Sequence, residues 1–343
     1  MTDINPGDTP IKQGEARGWH HNPGLPIGVS PIFAWPPRPV AAAQWLAASW
    51  LQFSTALIIL ACALVGAAFL PSAETMKTLS LGWIFQIWLR TLILVTLVAG
   101  GLHLYFITFS GQGKALKFDP RDMARSNKQF LFNHQVHENV FFALVSGVGL
   151  ITAFEVLVHW FMANGWAPGF ALTAEKPWLW LWFGFLVLLI PIWSSFHFYW
   201  VHRFLHWPPL YKLAHALHHK NVNVGPWSGI SMHPVEHVLY FSTLLVHLIV
   251  PTHPILVVFH VCVQVLNPPF SHSGFEKIVI RDKEQLKTGD FFHQLHHRHF
   301  ECNYGTVEFP WDAWFGSFDN GTAESRQRQR DRLKKLNRQA PGD

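Results

Sequence analysis

Charge is scarce in this chain. Asp, Glu, Lys and Arg make up 14% of its 343 residues, against 50% hydrophobic, a balance that excludes an ordinary soluble enzyme. Cysteine is nearly absent. Cys62, Cys262 and Cys302 stand far apart, no two at metal spacing, which excludes an iron–sulfur cluster or zinc ribbon within the chain. There is no glycine-rich dinucleotide motif, ferredoxin cysteine set or b-type haem domain, so any redox chemistry draws its electrons from a separate partner. The first 40 residues are polar and Pro-rich and lack the apolar region of a signal peptide. Their "HHNPG" (His20 to Gly24) has the outline of a haem-binding turn in a segment too short to fold around haem.

What fills the chain instead is long apolar runs and 17 Trp. Residues 43–70, 81–109, 140–162 and 178–200 are each long enough, at about 1.5 Å per residue, to cross a hydrocarbon core of roughly 30 Å. Trp178, Trp180 and Trp182 at one end of the fourth run, and Trp200 and Trp207 at the other, read as interfacial belts. Lys114, Lys117, Arg121, Arg125 and Lys128 follow the second run, whereas the first and third loops carry only Lys77 and Lys176. The positive-inside rule then places both termini, and everything after the fourth span, in the cytoplasm. A basic tail at 326–343 suits anionic lipid head groups better than nucleic acid. The apolar run Val238–Leu266 is broken by "PTHP" (Pro251 to Pro254) into halves of about 13 residues, too short to span, and reads as a re-entrant hairpin. Inside the bundle, Arg90 and Glu155 sit at similar depth and are expected to pair.

Histidine supplies the chemistry. "HRFLH" (His202, His206), "HALHH" (His215, His218, His219) and "HQLHH" (His293, His296, His297) each carry imidazoles three and four residues apart, on one face of a helix. Eight ligands are too many for one ion, so two metals are the simplest use. Imidazole ligation without thiolate suits zinc, copper, nickel or iron. Structural zinc rarely uses histidine alone, and catalytic zinc needs only three protein ligands. A two-metal, all-nitrogen site beside a membrane therefore points to iron, and to splitting O2 to attack an unactivated C–H bond. The lone pair His134 and His137, and His20 and His21, read as interfacial. A histidine-rich metal transporter or metal-binding protein is the alternative, but its ligands would line the spans.

These residues also resemble the sterol desaturase/fatty acid hydroxylase superfamily of membrane di-iron enzymes. "YWVHRFLH" (Tyr199 to His206) looks like its first box, "HALHH" its second, and "HPVE" (His233 to Glu236) its HP-x-E element. "HSGFE" (His272 to Glu276) is similar to its HSG signature, and "HQLHHRHFECNYG" with "WDAWFGS" (Trp311 to Ser317) to its closing box and tail. The resemblance covers about Tyr199 to Phe318. It implies a cytoplasm-facing di-iron centre that uses O2 to hydroxylate or desaturate a lipid. The eight box histidines would be ligands, His272 the ninth, and no catalytic residue is expected beyond that cage. Sterols, fatty acyl chains, carotenoids and ether lipids are all handled by similar cages. The electron donor would be of cytochrome b5, ferredoxin or reductase type. Some relatives carry a further histidine where this chain has Pro268, so a tenth ligand would have to be His233 or His237. Both are read as partners behind the ligands, bonded to them or to Glu236, with helix capping the other reading. Asn303 is expected to hydrogen-bond a ligand's free ring nitrogen, and Gly305 to permit a tight backbone path.

The expected architecture is thus an all-α polytopic membrane protein. A cytoplasmic Pro-rich segment (1–40) precedes four transmembrane helices (41–200). A helical cap carrying the histidine-box site follows (201–325, including the hairpin 238–266), and then the tail.

Overall fold

The computed structural model describes residues 21, 22, 24–48 and 50–339; His20, most of the Pro-rich segment and the last four residues lie outside these. In chain order come helices α1 (Pro39–Ala48) and α2 (Trp50–Ala67). Helix α3 (Leu81–His103) continues as a π turn to Thr108, and α4 (Gln135–Ala163), α5 (Trp178–Leu205) and α6 (208–219) follow. Helix α7 (Pro234–Phe241) runs on as a 3-10 helix (Ser242–Leu248), followed by α8 (Pro254–Ser271). Strands β1 (Lys277–Ile280) and β2 (Lys283–Lys287) precede α9 (Phe291–His299), α10 (Trp311–Trp314) and α11 (Ala323–Gln339). Among the described residues the fold is therefore helical apart from one antiparallel hairpin, in register Lys277↔Lys287, that the sequence reading lacks.

Among the described residues, four helices are long and apolar enough to cross a membrane: Leu81–Thr108, Gln135–Ala163, Trp178–Leu205 and Pro254–Ser271. The count agrees with the sequence, but the membership differs. In the first expected span, 43–70, helix α2 (Trp50–Ala67) contains the apolar stretch Phe53–Ala67. Near its start the Thr55 hydroxyl donates to the Lys287 carbonyl (2.7 Å), so α2 begins beside the cap.

The hairpin is present, and it reaches further than its length suggested. At its tip the Trp182 indole donates to the Pro251 carbonyl (2.9 Å), and Thr252 exchanges backbone bonds with Pro168 and Phe170. All of these partners lie at the end of the bundle away from the histidines. The extra reach comes in part from arms longer than the sequence suggests and in part from the 3-10 segment. Eight residues at about 1.5 Å and seven at about 2.0 Å cover about 26 Å. The returning arm α8 covers about 27 Å and is the central helix, packed by α2, α3, α4 and α5, with Val257, Val258, Val261 and Leu266 almost wholly buried. Around it Leu81, Phe109, Leu181 and Leu188 face outward, as lipid contact requires. Trp178 and Trp180 at one end, and Trp200 and Trp207 at the other, are exposed as belts should be.

The paired loops bring every box to one end of the bundle. The N-terminal segment joins them there, Ile27 N–H donating to the Asn320 carbonyl (3.0 Å).

Arg90 and Glu155 do pair, Nη2 to Oε2 at 2.5 Å, with both side chains buried. Lone histidines that the sequence reading passed over join this polar interior. His159 Nε2 lies 3.5 Å from Glu155 Oε1, and His247 Nε2 is 2.9 Å from His260 Nδ1. Removing one partner strands a buried charge. Arg90→Ala is therefore expected to cost about 3–5 kcal/mol, whereas the double exchange Arg90→Met/Glu155→Leu should stay close to the parent. Thermal unfolding in detergent measures both; a single variant as stable as the parent removes the charge argument.

Candidate metal centre

Helical periodicity carries the boxes to their places. His202 and His206 lie in the last turn of α5 and at its C-cap. His215 closes the π turn inside α6, and His218 and His219 lie in the α-helical turn that ends it. His293, His296 and His297 lie on α9, which Asp290 opens by accepting the Phe292 N–H (2.9 Å). His272 caps α8 just past Pro268 and Pro269.

All nine converge, and they sort into two adjoining lobes. His202, His206, His215, His219 and His296 form one; His218, His272, His293 and His297 form the other. Within each lobe the ligand atoms lie within 4.8 Å of one another, and every member is buried. The box spacing explains the sorting. Histidines at i and i+4 (215 and 219, 293 and 297) share a lobe, while the remaining member of each triplet (218, 296) turns to the other. A His-x-x-His-His box is thus a helix that serves two sites at once.

The rings are held by their outer nitrogens. His202 Nδ1 donates to the Tyr304 carbonyl (2.7 Å) and His296 Nδ1 to the Cys302 carbonyl (2.7 Å). His272 Nδ1 donates to the Pro268 carbonyl (3.0 Å) and His218 Nδ1 to the Ser231 carbonyl (3.3 Å). His215 Nδ1 donates to Glu236 (2.8 Å) and His206 Nδ1 to Glu301 (3.4 Å). Each such bond fixes the tautomer and turns a bare Nε2 lone pair inward. Burial, reinforced by neighbouring imidazoles, keeps His215, His219, His272, His293, His296 and His297 well below the usual histidine range. Burial brings His218 down to about 4. Those seven rings are therefore neutral, the form that binds metal.

Inside the lobes these nitrogens crowd. Nε2 atoms stand 3.2 Å apart for His206 and His219, 3.0 Å for His219 and His296, and 3.0 Å for His272 and His297. The Nε2 atoms of His202 and His215 are buried with no partner. Acceptors facing acceptors repel unless a cation lies between them. The residues present therefore fit a metal ion in each lobe, with a donor set suited to late first-row metals.

Three expectations about the surrounding residues need correction. Asn303 does not touch a ligand: its amide donates to the Phe292 and Asp319 carbonyls and accepts the Asp319 N–H. His233 caps α7 by accepting the Val235 N–H (3.2 Å). His237 bonds the Ser146 hydroxyl (2.9 Å) and the Ile230 carbonyl (3.2 Å). Neither joins a lobe, so the cluster holds nine imidazoles, and Pro268 serves by its carbonyl instead. Glu236 accepts a bond from His215 Nδ1 (2.8 Å). His134 and His137 stack on each other, ring centroids 3.9 Å apart, outside both lobes.

The sequence reading missed the carboxylate that locks the closing turn. Asp312, in "WDAWFGS", accepts the N–H groups of Tyr304 (2.8 Å) and Gly305 (2.7 Å) and the Ser317 hydroxyl (2.6 Å). It thereby fixes the carbonyls that hold His202 and His296. Gly305 is required by this approach, since a Cβ there would lie 2.9 Å from Asp312 Oδ2.

Fold and site together define a polytopic helical membrane protein with a two-lobed polyhistidine centre at one end of its bundle. Residues 186–317 match the fatty acid hydroxylase family model. A Delta(7)-sterol 5(6)-desaturase of Gibberella zeae is 34% identical over 143 residues, covering 40% of this chain and 43% of that protein. The Delta(7)-sterol-C5(6)-desaturase of Nicotiana tabacum is 28% identical over 251 residues, 70% of this chain and 85% of its own length. A Candida glabrata Delta(7)-sterol 5(6)-desaturase is 29% identical over 233 residues, covering 64% and 58%. The matched stretches thus span about half the length of the two fungal relatives. No solved structure matches. Over residues 186–317 the chain is thus similar to the sterol desaturase/fatty acid hydroxylase superfamily.

Proposed function

We propose that this protein is an iron-dependent membrane oxidoreductase that uses O2 to desaturate or hydroxylate a lipid, with a sterol-like polycyclic alcohol as the substrate class. The observation that carries the reading is the two-lobed cage of nine buried imidazoles whose bare nitrogens converge. The names of the sterol-desaturating relatives support the choice of substrate. Two irons would be held by His202, His206, His215, His219 and His296 on one side, and by His218, His272, His293 and His297 on the other. Bound iron supplies the O2-activating, C–H-cleaving chemistry. The chain's own work is to bury nine rings together, to orient six of them through Glu236, Glu301 and four backbone carbonyls, and to keep water out. A lipid reaches such a centre from the bilayer, because the cage lies at the end of the spans. No member lines their middle, as a transporter's ligands would.

The test is metal analysis of the protein in nanodiscs, followed by O2 uptake on adding a Delta(7)-sterol and a chemical reductant. Two irons per chain and sterol-dependent uptake are expected. Exchangeable zinc or nickel with no uptake would favour a metal carrier instead. Positive-inside bias places the cage and both termini in the cytoplasm. A reporter fused behind the last residue should read cytoplasmic, and a signal from the opposite compartment overturns that orientation.

A further inference from the structure

Different rings pack on the cage from its two sides. From the cap, Tyr211, Phe300 and Tyr304 lie against imidazoles of the five-membered lobe. From the bilayer side comes Phe198. It stands on α5 four residues before His202, one helical turn or about 6 Å nearer the middle of the bundle. Its ring stacks on that of His202, with centroids 4.8 Å apart and 29° between planes, and lies 6.3 Å from that of His293. Those two imidazoles belong to different lobes. One phenyl ring thus covers the junction between them. It is partly exposed, whereas the imidazoles behind it are buried.

A second ring braces the first, placed by the same periodicity. On α7, Glu236 bonds His215, and Tyr240, one turn further into the bundle, meets Phe198 at a centroid distance of 5.8 Å with 76° between planes. Tyr240 is itself tied down, its hydroxyl donating to the Gln264 carbonyl (3.1 Å). In an unbroken helix that carbonyl would accept the N–H of the residue four places on. Here that residue is Pro268, which has none. Gln264 is buried, so its carbonyl needs a donor from elsewhere. Tyr240 supplies it. Pro268 therefore acts twice: its own carbonyl holds His272, and the vacancy it leaves one turn back holds Tyr240.

A lipid entering from the bilayer meets this pair before it meets the imidazoles. Phenylalanine has no atom that binds a metal or moves a proton, so holding the ions does not explain a ring laid across both lobes. What such a ring can do is set distance. Confined between His202 and Tyr240, it limits how close a lipid carbon comes and which carbon that is. Small errors of this kind are expensive, since a misplacement of about 1 Å can cost about 100-fold in rate.

We propose that Phe198, braced by Tyr240, is the positioning residue for the lipid substrate: the lipid lies against its ring, and the ring sets which carbon stops at the junction of the two lobes. The reaction itself rests on the function proposed above.

The experiment uses the full iron-loaded chain in nanodiscs with a Delta(7)-sterol as the probe. The iron is reduced with dithionite, excess reductant is removed, and O2 is admitted for a single turnover. Mass spectrometry gives the product formed per reduced centre and the carbon oxidised. Phe198→Ala should keep two irons per chain but lose about tenfold or more in product, with oxidation spread over more than one carbon. Phe198→Leu keeps most of the bulk and should lose less product while still altering the distribution. Tyr240→Phe keeps the ring without its tether and should broaden the distribution at unchanged iron content. A photoreactive sterol with a ring diazirine should label the α5 peptide that contains Phe198, and excess Delta(7)-sterol should compete.

Parent yield at a single carbon in Phe198→Ala overturns the proposal, as does labelling that spares the Phe198 peptide. Iron lost from Phe198→Leu also overturns it, because the ring then serves His202 and not the lipid. A parent protein that holds iron and oxidises no Delta(7)-sterol overturns the function proposed above, and this inference falls with it. A parent that oxidises the sterol while the Phe198 variants match it overturns this inference alone.

Discussion

His296→Ala should halve the bound iron, from two per chain toward one, and abolish turnover. His296 is the only α9 histidine in the five-membered lobe, with its Nε2 3.0 Å from that of His219 and its Nδ1 on the Cys302 carbonyl. Its removal takes away a donor and leaves a buried carbonyl without its partner. The loss in activity should exceed the roughly 10–100-fold that removal of a mere supporting residue costs. The four-membered lobe keeps all its rings and should keep its ion. His297→Ala is the mirror experiment. It leaves His218, His272 and His293, so the five-membered lobe should be the one that stays loaded. Metal quantification with Mössbauer spectra of the two variants distinguishes the lobes, and full iron retention in both would dismantle the cage assignment.

Asp312→Ala should do comparable harm without touching a ligand. Three donors converge on this one buried carboxylate, and hydrogen bonds to a charged group are worth about 1.5–3 kcal/mol each. Their loss frees the turn whose carbonyls hold His202 and His296. Apparent iron affinity of the five-membered lobe is expected to fall about 10–100-fold, together with a clear drop in unfolding temperature. Ser317→Ala removes one of the three bonds and should cause a much smaller change in both. Parent-like iron affinity in Asp312→Ala would show that the turn does not orient the rings.

The parts of this molecule that were legible in the sequence are those written in side-chain periodicity. Spacing alone marked the eight box histidines and showed that one ion could not use them all. His272 came from the family resemblance, since a single histidine after a Pro-Pro pair has no period. The supporting acceptors stayed hidden because four of them are backbone carbonyls, of Ser231, Pro268, Cys302 and Tyr304, and any residue type supplies one. His233 was read as a supporting partner, but it directly precedes Pro234 at the start of a helix, the setting in which a side chain caps. Asn303 was misjudged for a related reason. An amide near a ligand helix in sequence can equally bond the backbone on either side, and here it does. The hairpin's depth was underestimated because both helices run beyond the apolar stretch and one arm is half 3-10 helix, which rises faster than about 1.5 Å per residue.

The division of each triplet between the lobes bears on how the centre tolerates its surroundings. Rings in opposite lobes but on the same helix lie 5.6 Å apart for His215 and His218, 5.5 Å for His293 and His296, and 5.7 Å for His296 and His297. The gap between the two lobes is therefore gauged by the pitch of single helices and does not depend on how separate segments happen to be docked. A bilayer that thickens or thins can tilt the spans beneath the cap, and the spacing of the lobes travels with α6 and α9 as a fixed ruler.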